Sequence, residues 1–119
     1  MHIEAFREYC IAKKGVTEGF PFGADVLVFK VMNKMFALTA LDRLPPQVNL
    51  KCDPERAIAL RETYDGYIIP GYHMSKHNWN TIYLQQVPTT LIRELIDHSY
   101  NLIVAGLPKK TRQALEDLE

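Results

Sequence analysis

The stretch Pro70-Gly71-Tyr72-His73-Met74-Ser75-Lys76-His77-Asn78-Trp79-Asn80 gathers most of the side chains in this chain that could do chemistry. His73 and His77 stand four apart, the spacing that turns two imidazoles toward one metal on a helix face. Pro70-Gly71 ahead of them and an alternating strand pattern behind them argue against a helix. The segment also lacks a Cys, Asp or Glu to complete a ligand set. Two turn histidines and no metal are therefore expected. Cys10 and Cys52 are the only cysteines, and no CxxC or paired Cys/His spacing accompanies them, which excludes a zinc ribbon or a thioredoxin-like motif. A disulfide between them is open on paper, but two reduced thiols buried as small hydrophobes are the expectation. The glycines form neither GxGxxG nor a Walker loop, and there is no GxSxG elbow or HExxH. A cysteine–histidine nucleophile pair has no motif behind it, so an enzyme ranks last among the readings, and no cofactor is expected.

Charge distribution says more than any motif. From Gly66 through Arg93 there is no Asp or Glu, in a chain with fourteen acids among 119 residues. The same window holds Lys76, Arg93, His73 and His77 beside Tyr67, Tyr72, Trp79 and Tyr83. Cationic donors, amides and flat aromatic faces are what a polyanion with stackable bases uses. Residues 26–41 are also acid-free and carry Lys30 and Lys34. Against this, fourteen Lys and Arg offset the fourteen acids, and the pI is near 6.9. A dedicated nucleic-acid binder is usually basic, since phosphate contacts supply most of its affinity. Only an uneven distribution of charge on the folded surface rescues that reading. The plainer alternative makes Trp79 and Tyr83 core residues and Lys76 a solvated turn.

The elements that would position these residues read clearly. Residues 2–13 form an amphipathic helix with Ile3, Phe6 and Cys10 on one face, stopped at Gly15. Residues 17–23 read as a loop whose aromatic side chains tuck under the sheet. Val26 to Val31 and Met35 to Ala40 are strands joined through Asn33-Lys34, where asparagine tolerates a left-handed turn. Gln47 to Cys52 alternates polar and apolar, the pattern of a strand with one wet face. Asp53 caps a helix that has Pro54 at its first position and presents Ala57, Leu60 and Tyr64 on one side. Tyr67 to Ile69 is a short strand, and Trp79 to Leu84 is another with Trp79, Thr81 and Tyr83 on one side. Pro88-Thr89-Thr90 opens a long helix striped by Leu91, Ile92, Leu95, Ile96, Ser99, Leu102 and Ile103 and closed by Gly106 and Pro108. A short last helix carries Ala114, Leu115 and Leu118. The expected fold class is α+β, a two-layer sandwich of an antiparallel sheet of about five strands with helices on one side, forming one domain over residues 1–119. Glu4, Arg7 and Glu8 interrupt the first turns, which argues against a signal peptide. The longest apolar runs fall far short of the ~20 residues that span a bilayer, so a cytoplasmic address and no membrane contact are expected.

Several clusters taken together resemble the MmcQ/YjbR family. They are Thr17-Glu18 with Pro21-Phe22-Gly23, Val28-Phe29-Lys30-Val31 followed by Lys34-Met35-Phe36-Ala37, and Asn49-Leu50-Lys51-Cys52-Asp53-Pro54-Glu55. Pro70-Gly71-Tyr72-His73-Met74, Lys76-His77-Asn78-Trp79-Asn80-Thr81 and Ser99-Tyr100 complete the set. The resemblance covers nearly the whole chain. It implies a compact fold of the CyaY (frataxin)-like kind, related to the double wing of a phage transcription factor, and the description "DNA-binding protein". It brings no catalytic residues, and the chain lacks the acidic ridge a frataxin uses for iron. The resulting expectation is a non-enzymatic DNA-binding module, weak and salt-sensitive, with Lys30, Lys34, Lys51, His73, Lys76, His77, Asn78, Trp79 and Arg93 as its nucleic-acid or anion-binding residues. The alternative is a module for a small anionic ligand or a protein partner that uses the same surface.

Overall fold

The structure is a computed structural model that describes residues 1–71 and 74–119. In chain order it contains α1 (Ile3–Ile11), β1 (Val16–Gly19), β2 (Val26–Val31), β3 (Lys34–Ala40), β4 (Gln47–Lys51), α2 (Pro54–Thr63), β5 (Ile68–Pro70), β6 (Trp79–Tyr83), α3 (Thr89–Ala105) and α4 (Lys109–Glu116). The strands form one six-stranded sheet in the order β1-β2-β3-β4-β6-β5, and every neighbouring pair is antiparallel. The fold is therefore α+β, with one strand more than the five expected. The extra strand is Val16–Gly19, which the sequence suggested was loop. A valine and a threonine before Glu18-Gly19 give only a short, weak strand pattern, and pairing with β2 decides the matter.

The helices pack on one face of the sheet. Phe6 and Cys10 of α1, Ile92, Leu95 and Ile96 of α3, and Leu115 after α4's first turns share a core with Leu27, Phe29, Val31, Val48, Leu50, Ile68, Ile82 and Leu84. The stripe read from the sequence of α3 is the side that is buried, down to Ser99. Leu118, in contrast, lies beyond α4 and is exposed, as is Ala114. Gly15 sits at φ 73°, and a Cβ there would lie 2.5 Å from Leu115 Cδ1, so the turn after α1 needs glycine for both conformation and space. Tyr9 donates to both oxygens of Asp97, at 2.8 and 3.0 Å, and Lys13 pairs with the same carboxylate, so α1 is tied to α3.

The β2–β3 hairpin turns through Met32 (φ 47°) and Asn33 (φ 69°), two left-handed residues in succession, as the favoured two-residue hairpin demands. A bulge interrupts the register, with Phe29 opposite Ala37 and Lys30 opposite Met35, leaving Phe36 as the extra residue. Phe36 and Ala37 thus both face the helices, while Met35 and Leu38 share the other face.

The start of α2 is fixed by a cap and a histidine. Asp53 accepts from the Arg56 N–H at 3.2 Å with Pro54 at the first helical position, as the sequence implied. The Asp53 N–H in turn donates to His98 Nε2 of α3 at 3.1 Å. That bond requires the unprotonated imidazole. Burial first, then the nearby Arg56 charge, lowers the His98 pKa from its ordinary 6.5. The folded chain therefore binds a proton here less readily than the unfolded chain does. The stability from this contact is complete above pH 6.5 and is lost as pH falls through the depressed folded value. The denaturation midpoint of the wild type should fall over that window, and a His98→Gln variant should show a smaller fall. Equal slopes for the two proteins would remove His98 from the linkage.

Candidate functional site

The sheet face away from the helices is where three of the nominated side chains, Lys30, Lys51 and Trp79, meet. Alternation along the strands sends Val26, Val28 and Lys30 of β2, Met35, Leu38 and Ala40 of β3, Gln47, Asn49 and Lys51 of β4, and Trp79, Thr81 and Tyr83 of β6 to this side. Its own small apolar cluster, Val28, Leu38 and Trp79 with Val26, Met35 and Met74 against it, contains no helical residue. An open sheet face with an apolar centre and a polar border is a surface to which something can bind.

The register separates the charges along this face. The β2–β3 turn, the end of β4 and the start of β6 lie at one end, since Lys51 pairs with Trp79 and the Cys52 N–H donates to Asn78 O at 2.7 Å. Lys30 and Lys51 lie half-buried on the face, one strand apart on either side of β3, or about 10 Å by ordinary strand spacing. Lys76 is exposed in the turn before β6, at the same end. Lys34, exposed at the first residue of β3, pairs with Val31 of the helical core and so points to the other side of the sheet. None of these lysines belongs to an ion pair among the described residues. Asp25 and Asp42 sit at the opposite end, flanking the base of the hairpin beside Arg43, while Glu18 of β1 lines a hollow with Lys30 and is paired with Arg7. Residues 26–41 are acid-free along the strands, and the fold places the bordering acids away from the lysines.

The segment before β6 is a tight turn. The Asn78 and Trp79 N–H groups both donate to Ser75 O, at 3.2 and 3.0 Å. Arg61 Nη2 donates to Lys76 O at 2.9 Å, which ties the turn to α2. His77 is exposed at the turn and Asn78 is half-buried. Gly71 lies close under Trp79, where a Cβ would come within 2.9 Å of the Trp79 Cβ. Trp79 is only 9% exposed and packs on Val28 and Leu38. It forms a wall of the face rather than a free stacking platform.

The remaining nominations separate from this group. Arg93 projects from α3, on the helical side of the sheet, with its guanidinium 5.9 Å from the Tyr9 ring centroid. His73 lies outside the described residues, and with it the geometry of the His73/His77 pair. Among the described residues no three metal-ligating side chains gather. Burial pushes the Cys10 thiol up to about 12 and also raises Cys52, so both thiols stay protonated near neutrality.

The sequence reading missed a pocket that runs along the middle of the face. A cavity of about 420 Å³ is lined by Phe22, Val26, Met35, Leu38, Ala40, Arg43, Gln47, Asn49 and Met74. Phe20 and Phe22, expected to tuck under the sheet, are instead 50% and 65% exposed. The helical core is already filled from the other side, so the β1–β2 loop leaves its aromatic side chains at the rim. The one available signal was the run Val26 to Phe29, apolar on both faces of a strand that helices cover on only one.

Comparison with known proteins places the whole chain. The YjbR family model matches residues 11–102. The uncharacterized protein YjbR of Escherichia coli is 33% identical over 119 residues, covering 99% of this chain and 100% of that protein. The uncharacterized protein YbdF of Escherichia coli is 39% identical over 95 residues, 79% of this chain and 77% of that protein. Among solved structures, Deinococcus radiodurans protein DR2400 superposes with a TM-score of 0.90 at 38% identity, covering 96% of this chain and 87% of that one. A Pseudomonas syringae protein superposes at 0.73 and 26% identity, covering 86% of this chain and 98% of that one.

Proposed function

The chain belongs to the YjbR family, and from that premise and the open sheet face we propose that it is a non-enzymatic binding module whose lysine end takes up the phosphate backbone of DNA. The observation that carries this reading is the separation of charge across one uncovered face. Lys30 and Lys51 on the face and Lys76 in the turn at the same end have no carboxylate partners among the described residues, while Asp25 and Asp42 occupy the far end. A zero net charge then ceases to be an objection, because phosphates respond to the local field. Asn78 and His77 border the lysines and can add neutral hydrogen bonds to sugar or phosphate. Trp79, being buried against Val28 and Leu38, contributes shape rather than stacking. The binding is therefore weak, governed by salt and nearly indifferent to sequence.

Fluorescence anisotropy of labelled single-stranded and duplex DNA, titrated with protein at low and moderate salt, tests this. A dissociation constant of roughly 10–100 μM in low salt is expected, with a logarithmic salt slope near −3 for duplex. Lys51→Ala and Lys76→Ala should each flatten that slope by about 0.9, whereas Arg93→Ala on the helical side should leave it unchanged. An absence of binding at ~100 μM protein in low salt would sink the reading.

A further inference from the structure

The pocket along the middle of the open face has properties that a phosphate backbone does not use. Its volume of about 420 Å³ falls within the range of small-molecule sites and is far too small for a macromolecular segment. Phe22, Val26, Met35, Leu38, Ala40 and Met74 make its walls apolar. Two of these are methionines, whose unbranched side chains adapt to an occupant. The polar groups collect on one border, from Arg43, Gln47 and Asn49. What they offer is mainly hydrogen-bond donors. The Thr81 hydroxyl donates to Asn49 Oδ1, so that amide oxygen is engaged and the Asn49 N–H₂ remains to donate. Gln47 Nε2 is held by Pro45 O at 3.1 Å. Arg43 carries only donors and a positive charge.

We propose that this pocket binds a small amphiphile with a hydrocarbon body and a carboxylate head, the chain lying along Val26, Met35, Leu38 and Met74 and the carboxylate accepting from Asn49 and Arg43. Charge complementarity selects the head group, because the donors of Asn49 and Arg43 suit an acceptor that is also an anion. Asp25 and Asp42 line the adjoining hollow beyond Arg43. They disfavour a multiply charged anion there and so restrict the ligand to a single carboxylate. The pocket runs along the middle of the face from Phe22 and Arg43 to Met35, which pairs with Lys30, and none of the lysines is among its lining residues.

The chain has one tryptophan, and Trp79 packs in the same apolar cluster as Leu38 and Met74, so its emission reports on the pocket directly. Sodium hexanoate, octanoate and decanoate are titrated against the full chain while Trp79 fluorescence is followed, with decanol as the uncharged probe. Saturable binding that tightens about threefold to fourfold per added methylene is expected, with decanol at least tenfold weaker than decanoate. Asn49→Asp, nearly isosteric and still able to accept from Thr81, should weaken decanoate at least tenfold. Ala40→Phe, which fills the pocket, should abolish binding while circular dichroism shows an unchanged fold. The site is overturned if the response is not saturable, if decanol binds as well as decanoate, or if Asn49→Asp changes nothing. Sedimentation velocity decides the remaining occupant, since a dimer that Ala40→Phe dissociates would assign the pocket to a second copy and also overturn the proposal. DNA anisotropy on the same variants keeps the two readings apart, because loss of decanoate binding alone leaves the lysine end untouched.

Discussion

Replacing Phe36 by alanine is expected to cost about 3–5 kcal/mol of folding stability, a large share of the ~5–15 kcal/mol that holds a typical domain together. Phe36 is the extra residue of the β3 bulge and is fully buried. Its ring meets Tyr100 of α3 edge to face, with centroids 5.6 Å apart and an interplanar angle of 87°. Truncation removes both the buried area and an aromatic pair, and a bulged strand held by α3 has little freedom to collapse into the gap. The bulge also turns Met35 toward the open face, so a loosened Phe36 disturbs the pocket wall from behind. Urea denaturation checks the figure, with Phe22→Ala as the comparison. Phe22 is 65% exposed at the pocket rim, and its loss should shift stability by no more than about 0.5 kcal/mol. Equal costs for the two would show that the bulge is not a core site.

Ser99→Ala is the second large effect, roughly 2–4 kcal/mol, for a change of one oxygen atom. Ser99 is fully buried on α3, yet it contacts two strands. Its hydroxyl donates to Phe36 O at 2.6 Å and accepts from the Lys51 N–H at 3.0 Å. Alanine leaves a buried carbonyl and a buried amide unsatisfied, and each such group costs about 1–3 kcal/mol. The loss frees the end of β4, where Lys51 stands opposite Trp79, so under the proposed function DNA affinity should fall together with stability. Because Ser99 and Phe36 share one junction, the double variant should cost less than the sum of the single ones. Denaturant midpoints of the four proteins in that cycle measure the coupling. A strictly additive result would mean that the hydroxyl and the ring act independently.

Much of the framework follows from local patterns that tertiary contacts only confirm. Asp53-Pro54 caps α2, Pro108 follows the end of α3, and Asn33 takes the left-handed turn, because each is a demand of backbone geometry met within a few residues. The stripe of α3 likewise names its buried side, since helical period and burial coincide. β1 was hidden because four residues carry too little pattern to outweigh Glu18 and Gly19, and β2 alone recruits them.

The sequence by itself determined the α+β class, the family, the helix limits and the acid-free runs that make a cationic surface possible. These depend on residue types and on periodicities of two and 3.6, which are visible along one dimension. Only the tertiary structure decided which of the nominated residues share a surface. It brought Lys30, Lys51 and Lys76 to one end of the sheet, set Arg93 and Lys34 on the helical side, and packed Trp79 against Val28 and Leu38. It also revealed the pocket, whose lining is drawn from two loops, three strands and Met74. The physical reason is strand order. β4 and β6 are neighbours although α2 and β5 lie between them in the chain, and a bulge at Phe36 changes which side chains of β3 share a face. Neither the pairing of distant strands nor the placing of one extra residue leaves a local signature.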